Sequence, residues 1–136
     1  FIGVRDPVVR RINEEIIERV GRVPEGERIE VSFGRAAGVI TDVSSTISEY
    51  LPFDRPYALV DTRRLGRRAY SRRFPSTAGG FLLGADLEGL DAFLAAVHGG
   101  TDPTARARRA LIADALGDPA TSHDRFAAAV DRALSS

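Results

Sequence analysis

The alternation of two short apolar runs with a helical pattern constrains the fold of this chain most. The runs cover residues 36–41 (Ala-Ala-Gly-Val-Ile-Thr) and 56–61 (Pro-Tyr-Ala-Leu-Val-Asp), and residues 45–51 between them have a helical pattern. Short apolar runs are typical of strands that are covered on both faces of a parallel sheet. Since parallel strands need a crossover between them, the pattern predicts an α/β fold, with residues 36–41 as a central strand.

Three further elements are predicted before the first apolar run, and the first is a short strand over residues 1–4. Asp6 followed by Pro7 is a typical helix start, with the carboxylate as N-cap, and this helix should end near Gly21. Residues 28–33 alternate between polar and apolar side chains with a period of two, which predicts a strand. The sheet is therefore expected to be short and mostly parallel.

The second half of the chain is predicted to be mainly helical. Residues 62–75 are rich in arginine and have no clear pattern, whereas residues 79–83 predict a last short strand. Three C-terminal helices follow, with predicted starts at Asp86, at Asp102-Pro103 and at Thr121 or Ser122. The last helix carries apolar side chains one turn apart, at Phe126, Val130 and Leu134.

Composition narrows the classes of function. A length of 136 residues fits one domain. Lys+Arg and Asp+Glu are both 19, so the basic excess expected of a nucleic-acid-binding protein is missing. The chain has no cysteine, which excludes disulfides and thiolate metal sites, and neither a metal nor a cofactor is expected. No signal peptide and no membrane-spanning run is recognised. Because the chain begins with Phe1, we expect it to be part of a longer protein.

The turn after the first apolar run is the leading candidate site. Ligands bind beyond the carboxyl ends of parallel strands, where this strand delivers Thr41, Asp42, Ser44 and Ser45. The helix that follows has unpaired backbone N–H groups and a positive dipole end. With two serine hydroxyls, the turn predicts a phosphate or diphosphate site. Glu49 is expected to accept hydrogen bonds from ribose or polyol hydroxyls, while Asp42 orients the loop or holds a hydroxyl.

Each polar feature also has a purely structural interpretation. Asp42 or Ser44 would serve equally as a helix N-cap, a role worth about 1 kcal/mol. The arginine-rich stretch would contact a diphosphate, a polyanionic acceptor or anionic lipid headgroups, or would simply be a solvated loop. Its members are Arg63, Arg64, Arg67, Arg68, Arg72 and Arg73.

The residues of the turn resemble a known family. Residues 40–45 (Ile-Thr-Asp-Val-Ser-Ser), with 49–51 (Glu-Tyr-Leu) and Arg55-Pro56 behind them, resemble the bacterial CDP-glycerol glycerophosphotransferases, which are the teichoic-acid primases and polymerases. Their pattern runs Ile-Thr-Asp-Tyr-Ser-Ser, then Asp-Tyr or Asp-Phe, then Lys-Pro. Weaker matches are Arg73-Phe74, Gly79-Gly80, and residues 117–120 with Arg125.

The resemblance implies a three-layer Rossmann-like domain, the C-terminal half of a GT-B fold, which holds the nucleotide donor. Ser44 and Ser45 then contact the donor diphosphate, and Glu49 takes the place of the family's Asp. Further phosphate contacts are expected from the arginines at Arg5, Arg63, Arg64 and Arg73.

The chain departs from the family at the catalytic position. The family carries a catalytic histidine upstream of the motif, and the corresponding place here holds Val4, Arg5 and Asp6. Arg5 can bind phosphate but cannot act as a general base. The N-terminal half of a GT-B enzyme is also absent, so this segment alone is expected to be inactive, and its catalytic residues stay unassigned.

The resemblance implies a transferase of cell-wall polymer synthesis. Its partners would be CDP-glycerol or a related CDP-alcohol, an anionic membrane-linked acceptor polymer and the N-terminal half of the parent chain, with no nucleic acid. The expected location is cytoplasmic, at the inner face of the membrane. Two alternatives stay open. One is a degenerate, non-catalytic module of a cell-envelope protein that binds an anionic partner through its arginines. The other is a GT-B glycosyltransferase domain that uses a nucleotide sugar.

Overall fold

The computed structural model describes residues 26–42 and 45–135, together with five isolated positions near the N-terminus, namely Pro7, Arg11, Glu14, Glu15 and Glu18. The chain divides into two compact units, Phe1–Ser32 and Phe33–Ser136. The single domain of the sequence analysis stays a prediction. The strand predicted over residues 1–4, and Asp6 and Gly21, the predicted limits of the first helix, lie outside the described residues.

In the first unit, the five isolated positions are helical and exposed, as expected for the predicted helix. Near its end, Arg28 donates a hydrogen bond of 3.0 Å to Glu30. The hydroxyl of Ser32 donates a bond of 2.7 Å to Glu27. These contacts are local, and they precede or lie within the next helix.

The strand predicted over residues 28–33 is wrong, because this segment belongs to helix α1, Ile29–Arg35. Ile29 and Val31 remain 43% and 47% exposed, and Phe33 alone in the helix is buried. Alternation stabilises a strand only when a neighbouring strand pairs with it. The same spacing also sets Ile29 and Phe33 four residues apart on one helical face. Glu30 in the first turn and Arg35 in the last suit the helix dipole.

The second unit is built on a short parallel sheet of three described strands. Strands β1 (Val39–Thr41), β2 (Tyr57–Val60) and β3 (Phe81–Leu83) lie in the order β1-β2-β3. Both pairs are parallel, with Thr41 opposite Leu59 and Val60 opposite Leu83. This arrangement confirms the predicted α/β class with a short parallel sheet and C-terminal helices.

The central strand is β2, so the prediction of a central first strand is wrong for the described sheet. β1 lies at its edge, and Ile40 is 45% exposed. Tyr57, Ala58 and Leu59 are completely buried instead. The reason is positional: β2 pairs on both sides and is covered on both faces, and the sequence pattern does not reveal which apolar run has two neighbours.

Helical crossovers connect the strands. Between β1 and β2 lie helix α2, Thr46–Tyr50, and the 3₁₀ turn Leu51–Phe53, which confirms the helix predicted there. Between β2 and β3 lie helix α3, Arg67–Arg73, and the 3₁₀ turn Pro75–Gly79. The second half of the arginine-rich stretch is therefore helical, and its first half is a loop.

Three C-terminal helices follow, as predicted, but their starts differ. They are α4 (Leu90–Val97), α5 (Ala105–Leu116) and α6 (Pro119–Leu134). Asp86 does not cap α4, because Leu87 and Gly89 have positive φ angles of 65° and 91° and delay the helix. α6 begins before the predicted cap at Thr121 or Ser122. Its apolar side chains Phe126, Val130 and Leu134 are exposed by 70%, 38% and 82%.

Two clusters of buried side chains cover opposite faces of β2. Tyr57 and Leu59 join one cluster, together with Phe33, Ile47, Tyr50, Leu51 and Tyr70. Ala58 joins the other, together with Phe81, Leu83, Phe93 and Ala96. Because residues of a strand point alternately to its two faces, helices pack on both sides of the sheet. This layout is consistent with a Rossmann-like domain. No helix among the described residues is both long enough and apolar enough to span a bilayer.

Candidate functional site

The carboxyl ends of β1 and β2 meet at one edge of the sheet. β1 ends at Thr41, which is half-buried, and Asp42 follows it as an exposed residue. β2 ends at Val60, and the buried Asp61 follows. Since the two strands are parallel and hydrogen-bonded, the two aspartates lie at the same edge. This edge is where a parallel sheet binds ligands.

Asp61 shapes the loop that leaves this edge. Its carboxylate is 5% exposed and accepts backbone N–H bonds of 3.0 Å from Leu65 and 2.7 Å from Gly66. Its own N–H donates to the carbonyl of Leu83 at 2.9 Å, which fixes the start of the loop to β3. A buried carboxylate with both oxygens bonded in this way is structurally satisfied. Asp61 therefore holds residues 62–66 in place rather than offering its charge to a ligand.

Tyr70 on α3 is buried against the end of β2 at this edge. Its ring is 3% exposed, and its hydroxyl donates a long bond of 3.5 Å to the carbonyl of Val60. Burial raises the pKa of Tyr70, and the nearby charges of Asp61 and Asp42 raise it further, whereas Arg63 lowers it. The hydroxyl therefore stays protonated near neutral pH. Asp42 and Arg63, two predicted site residues, are both within electrostatic range of it.

The predicted phosphate-binding turn, residues 40–45, which we call the serine turn, leads into α2. Ser45 is exposed and occupies the N-cap position in a helical conformation, but its hydroxyl makes no capping hydrogen bond. The N–H of Glu49 donates to the Ser45 carbonyl at 3.3 Å, and the Glu49 side chain is exposed. Ile47 and Tyr50 bury the other face of this helix. The N-cap is therefore neither Asp42 nor Ser44, and Ser44 lies outside the described residues.

The predicted phosphate-binding arginines lie at different distances from this edge. Arg63 and Arg64 are exposed in the loop held by Asp61. Arg73 lies in the last turn of α3, about 9 Å along the axis from the start of that helix, and its guanidinium is stacked 5.5 Å from the centre of the Phe74 ring. Arg5 lies outside the described residues. The exposed loop that carries Arg63 and Arg64 thus leaves the same edge of the sheet as Asp42, whereas Arg73 lies at the far end of α3.

A second polar cluster, missed by sequence reasoning, lies at the opposite, amino-terminal edge of the sheet. Arg108 on α5 is 2% exposed. It donates to Asp54 at 3.0 Å, to Asp102 at 2.8 Å and to the Thr104 hydroxyl at 3.2 Å. Arg109 donates to the second oxygen of Asp54 at 2.9 Å. We call these five residues the Arg108 network.

The Arg108 network ties α5 to Asp54 in the segment that precedes β2. Burial pulls the pKa of Asp102 upward, but hydrogen bonds from Thr104 and Arg108 outweigh it, so the pKa of Asp102 lies below its usual range. Asp54 has a φ of 45° where it closes the first 3₁₀ turn. Every acidic group of the network is bonded, so the network is structural and leaves no charge for a ligand.

Tyr57 and two glycines complete this amino-terminal edge. The Tyr57 hydroxyl donates to the carbonyl of Ser76, and burial raises the pKa of Tyr57 to about 12. A Cβ atom on Gly80 would lie 2.2 Å from the Tyr57 ring, and one on Gly79 would lie 2.8 Å from the Cα of Arg108. Gly79-Gly80, a weak family match in the sequence, thus has a packing role here.

Tyr70 and Arg108 gave little signal in the sequence. Tyr70 lies between pairs of arginines, where its burial against β2 cannot be inferred from the surrounding pattern. Arg108 lies in a run with Arg106 and Arg109 on α5, and both neighbours are exposed. The nearest clue was Asp102, which resembled a helix cap. Among the described residues, no three His, Asp or Glu side chains form a group that could hold a metal ion.

Comparison with known proteins adds no relative to this description. No family model, no curated protein and no solved structure matches the chain. The resemblance to the glycerophosphotransferases therefore stays a prediction.

Proposed function

We propose that this chain is the donor-binding domain of a CDP-glycerol-type glycerophosphotransferase, with a Rossmann-like fold of the GT-B kind. The observation that carries the proposal is that exposed Asp42, the exposed loop with Arg63 and the Tyr70 hydroxyl all lie at the carboxyl edge of β1 and β2. A nucleoside diphosphate alcohol carries both phosphates and hydroxyls, and this edge offers donors and acceptors for both.

In this proposal the phosphates lie between the serine turn and residues 62–66, the loop that Asp61 holds. Ser45 offers a hydroxyl that is not used for capping, and Arg63 and Arg64 offer exposed guanidinium groups on the neighbouring loop. Arginine suits diphosphate because its planar group donates two parallel hydrogen bonds. Ser44, Arg5 and Arg73 keep the roles expected from the resemblance.

The hydroxyl groups of the ligand are assigned to the carboxylates. Asp42 is exposed at the end of β1, and Glu49 is exposed on α2. Each is an acceptor-only group when ionised, and a ribose or glycerol hydroxyl supplies the matching donor. Thr41, at the end of β1, contributes a half-buried hydroxyl at the same edge.

The parent protein would transfer a polyol phosphate to a hydroxyl of an anionic, membrane-linked acceptor polymer. It would act in the cytoplasm, at the inner face of the membrane. In this proposal the domain binds the donor. No histidine occupies the family's catalytic position, so the general base comes from the N-terminal half of the parent chain or is absent.

Calorimetric titration of the 136-residue chain with CDP-glycerol, CDP and a UDP-sugar tests the proposal. We expect CDP-glycerol and CDP to bind with a Kd below about 1 mM, and the UDP-sugar to bind more weakly. Substitution Ser45→Ala removes one hydrogen bond to phosphate and should weaken CDP binding about fivefold.

Ser48→Ala is the matched control. Ser48 is also an exposed serine of α2, one turn after Ser45, and its loss should leave CDP affinity unchanged. Absence of binding by both cytidine ligands contradicts the proposal. Preferential binding of the UDP-sugar favours the glycosyltransferase alternative.

A further inference from the structure

The arginines that follow β2 differ from most others in the described chain. Arg28, Arg55, Arg108 and Arg109 each bond to a carboxylate or a carbonyl. By contrast, the arginines after β2 are all exposed, namely Arg63, Arg64, Arg67, Arg68, Arg72 and Arg73. Within the described residues none of these six donates a hydrogen bond or forms an ion pair, and residues 62–74 contain no acidic side chain.

Helix α3 presents part of this charge outward. Tyr70 is buried and fixes the inner face of the helix against β2. Arg68 and Arg72 are four residues apart, so they share a helical face, and at 100° per residue that face is opposite Tyr70. Like charges at this spacing repel each other and weaken the helix slightly. An external anion would remove that repulsion.

A single aliphatic side chain accompanies the charge. Leu65 is 36% exposed at the loop between the first two arginine pairs, and its N–H is tied to Asp61. We call the exposed surface formed by Arg68 and Arg72, with Leu65 on the adjoining loop, the arginine face. It combines cations with one apolar side chain on a fixed loop, a combination that suits the headgroup region of a bilayer.

The arginine face lacks what a single-stranded nucleic acid requires. Such ligands stack their bases on exposed aromatic rings. Tyr70 is 3% exposed, and the ring of Phe74 is half-buried with the Arg73 guanidinium over it. No aromatic ring in this stretch is free to stack a base.

We propose that the arginine face is a contact surface for an anionic lipid bilayer. Because it excludes Arg63, Arg64 and Arg73, lipid binding here does not depend on the donor site. Each arginine near a negatively charged membrane surface strengthens binding by about fivefold, which corresponds to about 1 kcal/mol. The surface would hold the carboxyl edge of the sheet close to the membrane plane.

Vesicle co-sedimentation of the 136-residue chain tests this assignment. The probes are vesicles of phosphatidylcholine alone and of phosphatidylcholine mixed with phosphatidylglycerol. We expect binding to the mixed vesicles only, and we expect it to weaken as ionic strength rises to the physiological range. Arg68→Ala/Arg72→Ala should lower the partition coefficient about 25-fold. Arg68→Lys/Arg72→Lys should retain most of the binding, since the charge is kept.

The matched control is Arg106→Ala/Arg125→Ala, which removes the same charge from exposed positions on α5 and α6. It should lower the partition coefficient less than threefold, because these residues lie outside the arginine face. Equal binding to both kinds of vesicle, or equal losses in the two double variants, would overturn the assignment.

A soluble polyanion separates a lipid surface from a polymer ligand. Long-chain polyphosphate is added to the chain bound to mixed vesicles. If it displaces the chain and binds it at least as strongly as the vesicles do, the surface recognises a polymer and the assignment is wrong. CDP titration of Arg68→Ala/Arg72→Ala should give the wild-type Kd. Failure of lipid binding and failure of donor binding are therefore distinguishable.

Discussion

The two edges of the sheet use arginine in opposite ways. At the amino-terminal edge, Arg108 is buried and donates to two aspartates and a threonine. At the carboxyl edge, Arg63, Arg68 and their neighbours are exposed and have no described bonding partner. The difference separates stability from binding, because a buried ion network holds elements together, whereas exposed like charges cost a little stability and stay available to a ligand.

The largest expected effect is at Arg108. Arg108→Ala leaves the largely buried Asp102 without its cation, while Asp54 keeps its bond to Arg109. We therefore expect a loss of about 3 kcal/mol, the lower end of the cost of breaking a buried ion pair. Urea unfolding followed by far-UV circular dichroism measures the change. Arg106→Ala on the same helix is the control, since Arg106 is exposed and its loss should change stability by less than about 0.5 kcal/mol. Equal effects would remove the distinction between the two edges.

The second effect concerns the tight packing beside the Arg108 network. Gly80→Ala forces a methyl group into the Tyr57 ring, and we expect a loss of about 1–3 kcal/mol in the free energy of unfolding. Gly34→Ala is the counterpart, because Gly34 is helical and its nearest neighbour would be 3.9 Å away. It should stabilise the chain by about 0.5–1 kcal/mol. A stabilising Gly80→Ala would contradict the packing described.

The third prediction moves to the carboxyl edge. Asp61→Asn replaces one acceptor oxygen by an NH₂ group that faces a backbone N–H, so the loop loses one of its two bonds. We expect a loss of about 1–2 kcal/mol and weaker CDP binding as the loop loosens. Asp42→Asn, at an exposed site, should leave the unfolding curve unchanged and weaken binding alone. Stability losses of equal size would show that both aspartates are structural.

The fourth prediction is a pH dependence at the amino-terminal edge. The pKa of Asp102 is lower in the folded than in the unfolded chain, where it is about 3.9. Its contribution to stability is therefore complete above that value and disappears as the pH falls through the lowered pKa. Asp102→Asn should be less stable than wild type at neutral pH, and the gap should narrow below about pH 4. A constant gap would mean that Asp102 is not held ionised by its partners.

The smallest effect is expected at the arginine face. Arg68→Ala/Arg72→Ala removes a like-charge pair at helical spacing and adds two good helix formers, so we expect a gain of a few tenths of a kcal/mol. Thermal unfolding at low and high salt measures it, and the gain should shrink at high salt. A clear loss of stability would show that these arginines have structural partners after all.

Prediction from the sequence succeeded where a local pattern fits one kind of element and failed where the same pattern fits both a strand and a helix. The parallel strands at Val39–Thr41, Tyr57–Val60 and Phe81–Leu83 follow from apolar runs between helical segments. The alternation before them fitted a strand equally well, yet α1 formed because no described strand pairs with that segment. Position in the sheet was also hidden, since two similar runs gave no sign of which one would lie in the centre.

The candidate site divides in the same way. The sequence indicated Asp42, Ser45 and Arg63, because strand ends, serines before a helix and a run of arginines are local signals. It did not indicate Tyr70, whose position depends on the packing of α3 against β2. Nor did it indicate that both carboxylate oxygens of Asp61 accept backbone hydrogen bonds from its own loop. A carboxylate in a sequence is equally suited to a ligand or to a backbone N–H, and only its surroundings decide.

The sequence by itself determined the class of fold, the first crossover helix and the edge of the sheet at which polar residues gather, because hydrophobic periodicity and chain direction are properties of neighbouring residues. The tertiary structure decided which arginines bond to carboxylates and which remain exposed to solvent. Arg108 and Arg68 lie in similar runs of the sequence, but one is buried against two aspartates from distant segments and the other faces solvent. Burial and charge pairing between distant segments arise only when the chain folds, so no local pattern encodes them.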